Sequence, residues 1–388
     1  MSSRPGTARQ SLNAHCLAPR RKIDAPVHTG QYCRMFPDLA ALDVDADQLY
    51  ALGAVGAACD TSAAAAGESS VAAGWPSFGQ LVAHDITADR APLSHAADAD
   101  VQNFRTPRLN LECLYSGGPV GSPYLFDRDD PAKFLIGEAG CDVPRNSQGI
   151  ALIGDPRNDV HLFVNQLHLA LLKAHNVIVE RLRAEGVDEG EVFDEARACL
   201  VWHYQWVVLH DFLPGLVGED LMAELCDMAP SARIAKSPSI PFEFADAAYR
   251  YGHAQIRQTY RINAGSGELT MFPGLIGFRP VGPDRVVDWS YLFDVPGRPP
   301  AQRSERIDGR MPRPLWNCRT RSPATWRTPA TVPWQAATCS GALRRVWRRA
   351  RQLPGGLDWY RCRPMISGCR AGEAKRRFGT TSPGRPTS

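Results

Sequence analysis

The sequence predicts a mainly α-helical protein with long loops, on three observations. Apolar residues recur at helical spacing in several segments, and alternating strand patterns are nearly absent. Gly, Pro, Asp and Asn crowd the stretches between those segments. The composition suits such a fold: 388 residues, 44% hydrophobic and 22% charged, are ordinary for a globular chain. No uninterrupted apolar run approaches the roughly 18 residues that a bilayer span needs, so no membrane partner is expected. The opening "MSSRPGTARQSLNAHCLAPRRK" is basic but lacks the apolar centre of a secretory signal. A cytoplasmic location is the default expectation, with non-classical export the other route.

Residues 1–30 are polar, contain Pro and Arg, and are expected to be poorly ordered. "DADQLYALGAVGAA" reads as a short helix, and Trp75 to Ile86 as a second. From Ala88 to Pro156 the residues are those of turns and loops. After "GDPRND", Val164, Leu167, Leu171, His175, Ile178 and Leu182 fall three and four apart, which predicts one face of a long helix. Asp159 is its expected N-cap. Another helix is predicted from Glu191 to about Phe212, ending at "LPG". A third long one follows Pro241 through "FEFADAAYRYGHAQIRQTYRI".

Net charge divides the chain sharply. Of 44 basic and 41 acidic residues, 15 basic and 2 acidic lie between Trp316 and Ser388, a balance of +13. The 29 basic and 39 acidic residues left upstream give −10. The same tail holds 5 of the 9 Trp and 4 of the 11 Cys. One reading of residues 316–388 is a basic arm for nucleic acid; the other is non-native sequence, since Arg, Pro, Trp, Cys and Ser are what a GC-rich gene yields out of frame. The second is preferred, because the break at Leu315 is abrupt and no helical stripe continues past it. Nucleic acid is therefore not an expected partner of residues 31–315. The seven upstream cysteines show no Cys-x-x-Cys spacing, so reduced and mostly buried thiols are expected rather than a disulfide or zinc framework.

Three short segments carry side chains of chemical interest. "FGQLVAHDIT" sets Gln80 one helical turn before His84, with Asp85 next in sequence. Core packing, a metal site and proton transfer all remain open for that trio. "GDPRNDV" places Arg157 at the mouth of a helix, to stabilise an anion or to pair with Asp155 or Asp159. "YRYGHAQIR" sets Tyr249, Arg250, His253 and Arg257 on one helical face, and Gly252 lets something flat approach the backbone there. Taken alone, His253 reads first as a satisfied structural histidine.

In this fixed order the segments resemble the animal-type haem peroxidase superfamily, in particular its bacterial members. The resemblance covers about Gln31 to Leu315 and includes "YQWVVLHDFLP" and "VDWSYLFDVPGRPPAQRSERIDGRMPRPL". It implies that superfamily's helical fold. His84 is then the distal histidine, Gln80 the amide that orders water or a halide, and Arg157 the distal arginine. His253 is the proximal ligand of haem iron, and Arg250 meets a haem propionate. Asp85 matches a calcium-ligating aspartate, completed by Thr106, the Arg108 carbonyl, Asn110 and Glu112 of "TPRLNLE". Ala83 and Val160 stand where relatives have the Asp and Glu that esterify haem, so the implied cofactor is haem b without those ester links.

The implied function is peroxidase chemistry. Hydrogen peroxide is reduced through a ferryl haem intermediate, which then oxidises a small-molecule reductant or halide. A neutral imidazole relays the proton between peroxide oxygens, and a fixed guanidinium supports the developing charge. A haem-dependent fatty-acid dioxygenase of the same superfamily is the alternative; its catalytic tyrosine would be sought among Tyr251, Tyr260 and Tyr291. A non-enzymatic, frame-shifted relative with impaired haem binding is the third reading. Family members continue past "RIDGRMPRPL" with further helices, including the proximal histidine's hydrogen-bond partner. Nothing after Leu315 matches them in this frame, so the domain is expected to be incomplete at that end.

Overall fold

The structure, a computed structural model, describes residues 30–315 apart from 40–44, 55, 61–66, 89–101, 228–238 and 313–314. The N-terminal segment and the basic tail expected from the sequence lie outside the described residues. What is described is mainly helical. The helices are α1 (Ala46–Leu52), α2 (Trp75–Ile86), α3 (Glu112–Tyr115), α4 (Gly118–Gly121), α5 (Leu162–Ala184) and α6 (Val192–Val207). A π-helical turn (Val208–Phe212) leads into α7 (Leu213–Val217), followed by α8 (Glu219–Asp227) and α9 (Phe242–Asp246). Three two-stranded antiparallel pairs are the only sheets among the described residues; one joins Glu68–Ala72 to Arg303–Glu305.

The core explains why α2 sits centrally. Its Phe78 and Val82 pack with Leu114 and Tyr115 of α3, Leu169 and Leu172 of α5, and Leu200 and Tyr204 of α6. Each such side chain, fully buried, contributes about 1.5–3 kcal/mol of hydrophobic stabilisation. A second cluster, with Leu162, Phe163, Tyr260, Ile262 and Leu275, lies against the start of α5. That helix is long and apolar enough to cross a membrane by length and composition. Its buried residues, among them Phe163, Leu169, Leu172 and Val179, nevertheless pack inside these clusters. It ends where Gly186 adopts a left-handed φ of 82° and donates its N–H to the Arg183 carbonyl.

Several expectations need correction. The N-cap of α5 is His161, whose Nδ1 accepts from the Val164 N–H at 3.4 Å. Asp159 is instead drawn to Arg145 and Asn165. The buried stripe of α5 runs through Asn165, His168, Leu172, His175 and Val179, so Leu167, Leu171, Ile178 and Leu182 border it half-buried. The helix predicted after Pro241 breaks at Ala247 (φ −125°, ψ −75°) and continues as a 3-10 turn, Ala248–His253. Arg257 consequently leaves the shared face. It bonds Glu68 at 2.8 Å and the Arg303 carbonyl at 2.6 Å. The six described cysteines are free thiols as expected, but only Cys113 and Cys141 are buried.

Candidate active site

Helix α2 presents Gln80 and His84 one turn apart, with His84 8% exposed and Asp85 fully buried. His84 Nδ1 lies 2.7 Å from Asn158 Oδ1. An amide oxygen only accepts, so the imidazole proton is on Nδ1 and the lone pair on Nε2. Burial, then the Arg157 charge, lowers the His84 pKa to about 4, which keeps the ring neutral at pH 7.

Arg157 lies directly behind His84. Its Nη2 donates to the His84 carbonyl at 3.0 Å and to the Thr87 carbonyl at 2.6 Å, and the guanidinium also pairs with Asp155. A cation thus sits at the C-terminal end of α2, where the helix dipole favours it. Burial raises Asp155, but hydrogen bonds from Arg157 outweigh it and hold the carboxyl below the usual range. Arg105 shares this carboxylate at 2.9 Å. The simple ion pair open to Arg157 from the sequence is therefore present.

Three buried residues that no sequence motif singled out surround His84 and Gln80. Asn158 holds His84. His161 donates from Nε2 to Gln80 Oε1 at 2.6 Å, a direction fixed because its Nδ1 accepts from Val164. His168 Nδ1 accepts from Asn158 Nδ2 at 3.0 Å. The available signal was the recurrence of histidine seven residues apart at the start of a helix that begins beside Arg157.

On the other side, His253 ends the 3-10 turn with Nδ1 donating to the Arg250 carbonyl at 2.8 Å, so its lone pair also falls on Nε2. Burial, then the Arg250 charge, lowers its pKa to about 4. Arg250 donates to the Ala245 carbonyl at 3.3 Å, and its charge reaches His84. Tyr249 ties this turn to α2 by donating to the Gly79 carbonyl at 2.9 Å. The structure therefore brings the α2 pair, Arg157 and the His253 turn together around one helix. These side chains fit a haem by donor chemistry: two neutral imidazoles, each with its proton on Nδ1, and guanidinium groups of the kind that pair with carboxylates. A Cβ at Gly252 would meet nothing within 4 Å, so the backbone beside His253 borders open space.

The "TPRLNLE" loop folds under α2. Asp85 accepts the Leu111 N–H at 3.0 Å and the Cys113 N–H at 3.4 Å. Glu112 accepts from the Thr106 hydroxyl at 2.6 Å and from Asn110 Nδ2 at 3.0 Å. The Arg108 carbonyl accepts from Gln205 at 3.3 Å. Burial, against the Leu111 and Cys113 hydrogen bonds, raises Asp85 to about 6. The Asn110 side-chain Oδ1 is buried with no hydrogen-bond partner among the described residues. Leu109 and Leu111 hold positive φ values of 53° and 56°, each costing about 1–2 kcal/mol. Among the described residues no group of three or more His, Cys, Asp and Glu side chains could hold a metal ion. Any cation here would rely largely on neutral oxygens.

Part of the chain is similar to known proteins. Residues 94–272 match the animal haem peroxidase family, a span that includes Arg157 and His253 and begins just after His84. Human thyroid peroxidase is 27% identical over 137 residues, 34% of this chain and 15% of that protein. A Drosophila melanogaster peroxidase is 32% identical over 126 residues, 30% of this chain and 18% of that protein. The chain thus spans less than a fifth of the length of these curated relatives. Among solved structures, peroxidase A from Dictyostelium discoideum is similar with a TM-score of 0.49 and 16% identity, over 67% of this chain and 61% of that one. Rice fatty acid alpha-dioxygenase is similar with a TM-score of 0.41 and 15% identity, over 54% and 46%. Over residues 94–272 and over these shorter stretches the chain is similar to the animal haem peroxidase family.

Proposed function

We propose that the chain is a haem peroxidase that reduces hydrogen peroxide and oxidises a small reductant or halide. One observation carries the reading: His84 and His253 are both neutral and both donate Nδ1–H to an oxygen, leaving the basic nitrogen as Nε2. His253 would hold the iron through Nε2, and Arg250 would pair with a propionate. The haem, when bound, supplies the redox chemistry of peroxide cleavage. His84 takes a proton from one peroxide oxygen at Nε2 and returns it to the other. Arg157 anchors the end of α2 and with it the position of His84. Gln80, held by His161, orders water or a halide beside that imidazole. Ala83 and Val160 offer no carboxylate, so haem is retained without ester links at those positions.

Reconstitution with haem tests this. A Soret band should form, and His253→Ala should abolish it. His84→Ala should keep the band but lower peroxide-dependent guaiacol oxidation by about 100-fold or more. A wild-type chain that forms no Soret band would favour the non-enzymatic reading.

Asp85, Thr106, the Arg108 carbonyl, Asn110 and Glu112 are the proposed calcium ligands, and the buried Asn110 Oδ1, without a hydrogen-bond partner among the described residues, supports a cation there. Calcium at 100 times its dissociation constant should stabilise the fold by about 2.7 kcal/mol, read as a rise in Tm that a chelator reverses. An unchanged Tm at millimolar calcium would count against the site.

Fatty-acid dioxygenation is the second reading, favoured by Tyr251. This tyrosine lines a cavity with Trp75, Phe212 and Leu216, two residues before His253. Fatty-acid-dependent oxygen uptake lost in Tyr251→Phe would support it, and peroxidase turnover without such uptake would sink it.

A further inference from the structure

A buried run of side chains links His84 to the interior of α5. His84 Nδ1 meets Asn158 Oδ1 at 2.7 Å, and Asn158 Nδ2 meets His168 Nδ1 at 3.0 Å. Asn158 is 0% and His168 1% exposed, so bulk water cannot replace either partner. The Asn158 amide then uses its carbonyl for His84 and an N–H for His168. Each group of the amide has a partner of the right kind. Turning the amide over would set an N–H against His84 Nδ1 and force the imidazole proton to Nε2. The turn would also set the amide carbonyl against His168 Nδ1, and so requires the His168 proton to move to Nδ1 from Nε2. That Nε2 is buried with no hydrogen-bond partner among the described residues, a cost of about 1–3 kcal/mol that the arrangement carries.

We infer that Asn158 and His168 are positioning residues for His84. Asn158 holds the imidazole in the tautomer with its lone pair on Nε2, and His168 holds the Asn158 amide in the orientation that does so. The consequence for peroxide rests on the peroxidase reading, whereas the tautomer itself does not. Neither residue touches substrate; each acts through the next.

The test uses the full chain labelled with 15N-histidine, without haem, at pH 7. Two-bond 1H–15N correlations, assigned by loss of a signal in His84→Gln, report which ring nitrogen carries the proton. Wild type should show His84 as Nδ1–H. His168→Leu, remote from His84, should shift it towards Nε2–H. His168→Gln, which retains an acceptor for Asn158, should restore the wild-type pattern. A wild-type His84 protonated on Nε2 overturns the inference, as does a folded His168→Leu protein with an unchanged tautomer. Should His168→Leu fail to fold, wild type and His168→Gln still decide, since the inference requires Nδ1–H in both. With haem bound, His168→Leu should slow the peroxide reaction about 10- to 100-fold while the Soret band persists; an unaltered rate beside an altered tautomer removes the positioning role. A wild type inert to peroxide would sink the peroxidase reading and leave the tautomer result standing.

Discussion

Arg145 donates to both oxygens of Asp142 and both of Asp159, at 2.7–3.2 Å, and its side chain is 8% exposed. It also bonds the Gly149 carbonyl at 3.0 Å. Asp142 in turn accepts the Val281 N–H, and Asp159 accepts Asn165. One guanidinium therefore pins the turn that presents Arg157 and Asn158. Arg145→Leu would leave two carboxylates buried without their cation, at a cost of about 3–5 kcal/mol in urea unfolding. Arg145→Lys should recover little of it, because a single ammonium cannot make both bidentate pairs; a Lys variant as stable as wild type would contradict this account. The sequence reading gave Asp159 to the helix N-cap because spacing shows which acids are near a helix start. It cannot show that an arginine 14 residues upstream competes for one of them.

Among the elements, the strand-like segment Ile276–Phe278 carries an unusual constraint. Gly277 and Phe278 donate their N–H groups to the Val160 and Asp159 carbonyls at 3.0 and 2.9 Å. A Cβ at Gly277 would lie 1.8 Å from the Asp159 carbonyl oxygen. Gly277→Ala must push the Arg157–Val160 turn away, costing about 3 kcal/mol, the upper end of ordinary overpacking. Haem-loaded protein should then lose peroxide turnover more than Soret absorbance, because the turn serves His84 rather than His253. Equal losses would show general unfolding instead. The helices α2, α5 and α6 were legible in the sequence: α5 and α6 bury a regular stripe, and α2 is buried on nearly every face. The helix expected after Pro241 was not, because its ties are irregular: Tyr249 reaches back to Gly79, and Arg257 reaches out to Glu68 and Arg303. Such long-range bonds leave no period. The same holds within the site: His84, Arg157 and His253 stand in recognisable motifs, whereas Asn158, His161 and His168 acquire meaning only through their partners.

Across the molecule, burial has gathered neutral imidazoles. Burial is the first cause in each case, and it lowers His84, His168, His175 and His253 to about 4 and His161 to about 3. His175 has no part in the proposed chemistry; its Nδ1 accepts from Tyr115 and its Nε2 donates to the Ala132 carbonyl. The direction of the pH effect follows from proton counting. Between the ordinary histidine value of 6.5 and about 4, the unfolded chain binds protons at these five rings and the folded chain does not. Folded stability must therefore fall as pH drops through that window. Asp85 works the other way: raised to about 6, it binds a proton in the folded chain before the unfolded chain does, and so favours folding as pH falls from 6 to 4. Asp159 and Glu305, also raised by burial, act with Asp85, so five imidazoles oppose three carboxyls and the net slope is a loss on acidification. Urea midpoints followed by circular dichroism from pH 7 to pH 4 should decrease throughout, most steeply between 6 and 5. His175→Gln should flatten part of that slope without altering haem absorption, since the replaced ring lies in the core away from both proposed walls. A midpoint that rises on acidification would mean that Asp85 and its neighbouring carboxylates, rather than the imidazoles, dominate the proton balance of this fold.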